Sequence, residues 1–325
     1  MDQNHGHLTN AGHLRGLFGI SGIYLFSILM KRFGMYIARW IVVLFVLFYL
    51  LDALYTWVYK NSIPRNKVSY VLSEKNRDID YIFLGSSRVD NFIDVEIIEK
   101  ITGKKALNLG VQGGNLDDSY LMFQLLEEQK IKTSIVFVQV DYSYNGGNPS
   151  LYLKSAMIPF IKNPVVARYS KKWYPDYWKL RYFPFYRYMA YDYKLGFREF
   201  SASLINKKPR VSMINGFHPV FGTPATMEAN LPIKVATTNE AIRKMKILAK
   251  KMNIKLVFFT SPFCGDTKNI AFIEQLGLRF EHFMNYSEIF KDNDTYFYNC
   301  SHVNDKGAAI FSTRIAEDIV SKYQN

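Results

Sequence analysis

From Trp40 to Tyr59 the chain reads WIVVLFVLFYLLDALYTWVY, with a single charge, Asp52. About 20 apolar residues are what an α-helix needs to cross the bilayer core. A run apolar on every face also offers no polar side to a soluble domain. This segment fixes the layout of the rest: any globular unit has to be built from the residues that follow it. Trp40 at one end and Tyr55, Trp57 and Tyr59 at the other fall where interfacial aromatic residues collect. Asp52 is costly at mid-membrane and is expected near the outer interface or against a partner helix. Lys31, Arg32 and Arg39 precede the run and favour a cytoplasmic N-terminus, while Lys60, Arg65 and Lys67 pull the other way. No small-x-small cleavage site follows, so the expectation is an uncleaved signal anchor. It assigns 1–35 to a cytoplasmic segment, 36–60 to a single membrane pass and 61–325 to a domain in the periplasm or extracellular space. A shorter apolar run, Gly16–Met30, reads as a second membrane element or as sequence upstream of the true start. Met30 and Met35 are each followed by a basic-plus-apolar beginning, and the second reading is preferred.

After the anchor, short apolar runs alternate with helical patterns. Strands are expected at 81–84, 106–109, 134–140 and 255–260, each ending in turn or polar residues. Helical spacing falls between them: 93–101 (Val95, Ile97, Ile98, Ile101), 116–129, a basic helix at 239–252, and 305–323 with Ile310, Ile315 and Ile319 on its apolar face. This alternation predicts an α/β domain, a parallel sheet with helices on both faces in three layers. Ligands of such sheets sit outside the carboxyl ends of the strands. From about 149 to 231 the pattern breaks. The stretch KKWYPDYWKLRYFPFYRYMAYDYKLGFREF is dense in aromatic and basic residues and reads as an insertion, helical in pieces. It suits sugar stacking or lipid head groups; the plainer reading is a small satellite core.

The 325 residues carry a net charge of +13, which suggests an acidic partner such as an anionic lipid or an acidic glycan. No zinc-finger spacing, RNP-type motif or arginine-rich arm accompanies it, and nucleic acid is not expected. Two cysteines, Cys264 and Cys300, exclude a disulfide scaffold and a cysteine-built zinc site. They pair if the domain lies outside the cytoplasm; two half-buried free thiols are the alternative.

Three segments carry chemistry: Gly85-Ser86-Ser87-Arg88, Asn108-Leu109-Gly110-Val111-Gln112-Gly113, and Ser301-His302-Val303-Asn304. Each borders a predicted strand. Together they offer a serine on a strand-to-helix turn, a glycine-rich loop of N–H donors and a late histidine, the parts of nucleophilic acyl chemistry. Ser87, Gly113, Asp141, Cys264 and His302 are all expected on loops at one sheet edge. Gln112, Asn115 and Asp117 read as caps of the next helix. Gly110-x-x-Gly113-Gly114 does not complete a dinucleotide fingerprint and lacks a P-loop lysine.

With its continuation Asp305-Lys306-Gly307-Ala308, this trio resembles the SGNH/GDSL hydrolase superfamily. The likeness is to its membrane-anchored bacterial branch, which includes proteins similar to those of teichoic-acid D-alanyl transfer and alginate O-acetylation. It covers roughly 78–145 and 235–323. By motif position it implies Ser87 as nucleophile, with Ser86 as rival, His302 as general base, and the amides of Ser87 and Gly113 as oxyanion donors. Two positions depart from the pattern. The third block lacks Gly-x-Asn, which leaves Asn145 as candidate side-chain donor after Asp141. Three residues before His302 the expected aspartate is Asn299, for which Asp294 or Asp305 could substitute. Arg88 and Asp141 are candidate supporting residues. The implied activity is that of an extracytoplasmic serine esterase or O-acyltransferase on an acidic or acylated envelope glycan, without cofactor or metal, beside a membrane-bound acyl exporter. The alternative is a catalytically impaired glycan-binding or assembly factor that kept the fold.

Overall fold

The computed structural model describes residues 11–209, 212–213, 215–223 and 228–324, with side chains from residue 26 onward. Residues 1–10 of the expected cytoplasmic segment lie outside the described residues. The chain divides into two compact units, residues 1–54 and 55–325, so the expected span 36–60 crosses their boundary.

The described part of the first unit is helical. Helix α1 (Ala11–Asn61) takes in the Gly16–Met30 run and the Trp40–Tyr59 run in one element. Its part Phe26–Asn61, 36 residues whose most apolar 18-residue window has a mean hydropathy of 2.2, is long and apolar enough to cross a membrane, the one such helix among the described residues.

The second unit follows α1 with α2 (Lys67–Ser73), β1 (Tyr81–Leu84), α3 (Ser87–Asp90), α4 (Val95–Thr102), β2 (Ala106–Asn108), α5 (Leu116–Glu128) and β3 (Ile135–Gln139). The insertion consists of α6 (Leu151–Met157), α7 (Pro164–Trp173), α8 (Tyr177–Tyr182), α9 (Tyr186–Ala190), α10 (Asp192–Leu195) and α11 (Phe197–Leu204). Then come β4 (Ala229–Asn230), α12 (Glu240–Met252), β5 (Lys255–Thr260), β6 (Thr267–Lys268), α13 (Ala271–Gly277) and β7 (Phe283–Asn285). Last are β8 (Phe297–Asn299), β9 (His302–Val303) and α14 (Asp305–Tyr323). Five strands form one parallel sheet in the order β2-β1-β3-β5-β7. The short strands pair separately, β4 with β6 and, antiparallel, β8 with β9.

Alternation along the strands feeds two cores. Ile82, Leu84, Val136 and Val138 pack with residues of α5 and α12. Tyr81, Phe83, Phe137 and Phe259 pack with residues of α4 and α14. Phe83 stacks on Phe137 with ring centroids 4.8 Å apart. Each such fully buried ring stabilises the fold by roughly 1.5–3 kcal/mol. In α14 the buried line is Phe311, Ile315 and Ile319, and Ile310 is 42% exposed. Steps of four follow the 3.6-residue turn and leave 310 one position off the line, which corrects the expected face. Ile101 of α4 is likewise 38% exposed. Strand β7 has no counterpart among the expectations, because three residues are too few for alternation to register.

Candidate active site

The apolar run of β1 ends at Gly85, and the chain turns at once into α3. Ser86 is the N-cap of that helix. Its Oγ accepts from the Arg88 amide (3.2 Å) and donates to Gln139 Oε1 (3.0 Å), which also accepts from the Ser86 amide (3.0 Å). Its hydroxyl is therefore committed to the frame. Ser87, the next residue, turns the other way and places Oγ 2.8 Å from Nε2 of His302. On the far side of the ring, Nδ1 lies 3.1 Å from Asn299 Oδ1. The Ser301 amide donates to that same atom (3.0 Å), which identifies it as oxygen. An amide oxygen only accepts, so Nδ1 carries the ring proton and Nε2 is free to accept from Ser87. The β8–β9 turn brings Asn299 and His302 together. A disulfide between Cys264 and Cys300, with Cα atoms 4.9 Å apart, ties that turn to the segment after β5.

Burial, with the Arg88 guanidinium nearby, pushes the His302 imidazole down to about 4. The ring is therefore neutral at pH 7 and competent as a base. Asp294 does not replace the missing aspartate; its Oδ1 accepts from the Gly265 amide at 3.0 Å. Asp305 lies in the first turn of α14. The carboxylate of this sheet edge is spent elsewhere. Asp141 Oδ2 sits 3.1 Å from Nη1 of Arg88, and the two side chains are 2% and 1% exposed. Arg88 also donates to the carbonyls of Ser261 (2.9 Å) and Pro262, and lies over the Phe263 ring at 3.6 Å. Burial lowers the guanidinium's affinity for its proton, and Asp141 offsets that only in part.

Two backbone amides belong to the segments that follow β1 and β2 at this edge. Gly113 has φ +63, a left-handed turn that suits glycine. Its amide and that of Ser87 donate to no acceptor among the described residues. Asn145 is engaged at both ends of its side chain, donating to Lys234 O (2.8 Å) and accepting from the Ala236 amide (2.8 Å). One of its two N–H donors is thus already used in this state.

A clamp that the sequence did not suggest joins the serine helix to the glycine loop. The half-buried ammonium of Lys67 pairs with Asp90 of α3, and donates to Asn108 Oδ1 (3.1 Å) and Gly110 O (2.7 Å). Three acceptors match its three protons. Gln112 Nε2 closes the same gap, donating to Asp90 Oδ2 (2.6 Å) and Asn91 Oδ1 (2.8 Å), so it is no helix cap. Asn115 is the cap of α5, in a reciprocal pair with Asp118, and Asp117 pairs with Lys172 at 2.7 Å. A side chain at Gly110 would put Cβ 2.3 Å from the Asp90 amide, so only glycine allows this approach. The signals were slight: a lysine between the apolar run and the first strand, and polar Asn108 and Gln139 at the ends of apolar strands.

A cavity of about 570 Å³ opens behind this clamp, bounded by Lys67, Asp90, Gly110, Gln112, His218 and Lys194. Ser87 and His302 do not line it. Among the described residues no cluster of three His, Cys, Asp or Glu is placed to hold a metal ion. Comparison of the sequence with protein-family models and with curated proteins returns no match.

Proposed function

We propose that the second unit is a membrane-anchored, extracytoplasmic serine esterase or O-acyltransferase of SGNH/GDSL type, with a three-layer fold, acting on an acylated envelope glycan. The carrying observation is the relay Asn299–His302–Ser87 beside two undirected amides. In the proposed reaction Nε2 of His302 takes the Ser87 hydroxyl proton as Oγ attacks the ester carbonyl. The amides of Ser87 and Gly113 hold the oxyanion. Collapse returns the proton to the departing sugar oxygen and leaves an acyl-serine. Water or a second sugar hydroxyl, deprotonated by the same imidazole, then takes the acyl group. In the transfer direction a membrane-bound acyl exporter would supply the donor. The Cys264–Cys300 disulfide supports a location outside the cytoplasm, and with it an N-terminus inside.

Asn299 and the engaged Asn145 favour a second reading, an impaired glycan-binding or assembly factor. Intact-mass analysis of the detergent-solubilised chain treated with a serine-directed fluorophosphonate separates the two. One adduct is expected on the wild type, lost in Ser87→Ala and His302→Ala and kept in Ser86→Ala. A folded wild type that takes no adduct sinks the enzyme reading and leaves the second.

A further inference from the structure

The apolar run continues past the point where lipid can cover it. Tyr55, Val58 and Tyr59 belong to the run, yet Val58 and Tyr59 are 2% and 8% exposed within the second unit. The insertion covers them. Tyr55 stacks on Phe200 at 4.1 Å and meets Phe185 edge-on at 5.0 Å. Tyr59 donates to Leu195 O at 2.9 Å, and Thr56 pairs with the Tyr188 hydroxyl at 2.8 Å. Counted from Phe33, beyond Lys31 and Arg32, the helix to Leu54 has 22 residues and spans roughly 33 Å at ~1.5 Å per residue, enough for the ~30 Å core of a bilayer with Arg39 towards its inner end. A crossing is therefore complete before Tyr55, and Tyr55 is bonded directly to its end.

Around that point the insertion leaves apolar side chains uncovered. Met189 and Phe197, 58% and 74% exposed, line one hollow with Tyr55. Nearby in the chain, Trp178, Tyr182 and Phe183 are more than half exposed. Residues 171–200 hold seven Lys and Arg against three Asp and Glu. Exposed aromatic and aliphatic side chains within a basic segment are the composition of an interfacial membrane surface. Anionic head groups complement the charge. A sugar-stacking platform would need flat rings with polar neighbours; an open methionine and phenylalanine at the helix exit fit acyl chains better.

We propose that the α8–α11 part of the insertion is a monotopic membrane contact, seating Met189 and Phe197 in the head-group layer where α1 leaves the bilayer. It rests on α1 being a membrane span and is independent of the chemistry at Ser87. Both native cysteines are in the disulfide, so an introduced cysteine is the sole free thiol. Spin labels at Met189→Cys and Phe197→Cys are read in the full chain, in nanodiscs of phosphatidylcholine and phosphatidylglycerol, by collision with oxygen and with a nickel chelate. Leu47→Cys reports the span, and Leu278→Cys, an 89% exposed position outside the insertion, reports water. Oxygen access several-fold above nickel access is expected at 189 and 197, as at 47, with the reverse at 278. Nickel access at 189 and 197 with oxygen access at 47 overturns the proposal and leaves the surface to a glycan. Nickel access at 47 as well overturns the span and the proposal together.

Discussion

Two clusters share helix α3 and follow opposite electrostatic rules. Around Arg88 and Asp90 the side chains are charged, buried and fully countered, Arg88 by Asp141 and Asp90 by Lys67. At Ser87 the relay through His302 to Asn299 contains no charge, and its imidazole is held neutral by burial and by the Arg88 cation. The charged pairs fix the frame: one ties α3 to the loops after β3 and β5, the other ties α3 to the glycine loop after β2. The neutral relay is the part left free to change its protonation. Breaking a charged pair should therefore cost stability first, whereas altering the neutral relay should change rate and pH dependence with little effect on stability.

The largest effect is expected at Arg88–Asp141. Asp141→Ala leaves a guanidinium buried and uncountered, and removing one partner of such a pair costs about 3–5 kcal/mol. A denaturant midpoint within error of the wild type would show that the pair does not hold the frame. Next is Lys67. Lys67→Met takes the ammonium from the Asp90 carboxylate, which keeps only the Gln112 amide of the clamp, and frees the Gly110 carbonyl, for a loss of about 2–4 kcal/mol, softened by the adjoining cavity. Because the clamp sets the distance from Ser87 to Gly113, fluorophosphonate labelling should also slow by about 10–100-fold. Unchanged labelling in a destabilised variant would reduce the clamp to a purely structural role.

Sequence pattern made the fold legible where elements are long or doubly buried. Tyr81–Leu84 is a continuous apolar run and Lys255–Thr260 is built on one, Leu256–Phe259; the expected bounds coincide with β1 and β5. The relay partners could be proposed because a serine after a strand and a late histidine are chemical choices visible at single positions. Burial direction was harder to read: Ile310 and Phe311 are equally apolar, and only the helix's turn angle separates them. Pairing over long separations was not legible at all. Nothing in the string says that Lys67 reaches Gly110, that Gln112 leaves α5 for Asp90, or that Asn145 is taken by residues 234–236. Such contacts follow from topology, which puts connector, loop and insertion side by side only once the sheet has formed.

The smallest expected change, and the one that bears most directly on the comparison, is Asn299→Asp, which adds a charge to the neutral cluster. In the wild type, His302 loses its proton near 4. Base-dependent labelling should therefore rise through about pH 4 and stay level from about pH 5 to 8. An aspartate at 299 favours the imidazolium, so the inflection should move up towards the ordinary histidine range. The same charge stabilises the imidazolium that forms during attack. The reverse substitution in the serine-protease template costs about 10⁴, so a labelling gain of about 10-fold or more above the new inflection is expected. Stability near pH 7 should change little, because the site is half open and the new carboxylate has the ring N–H to accept from. A raised inflection with no gain in rate would mean that orientation by the amide already suffices. A gain in rate with an unmoved inflection would mean that residue 299 acts on Ser87 by some route other than the imidazole.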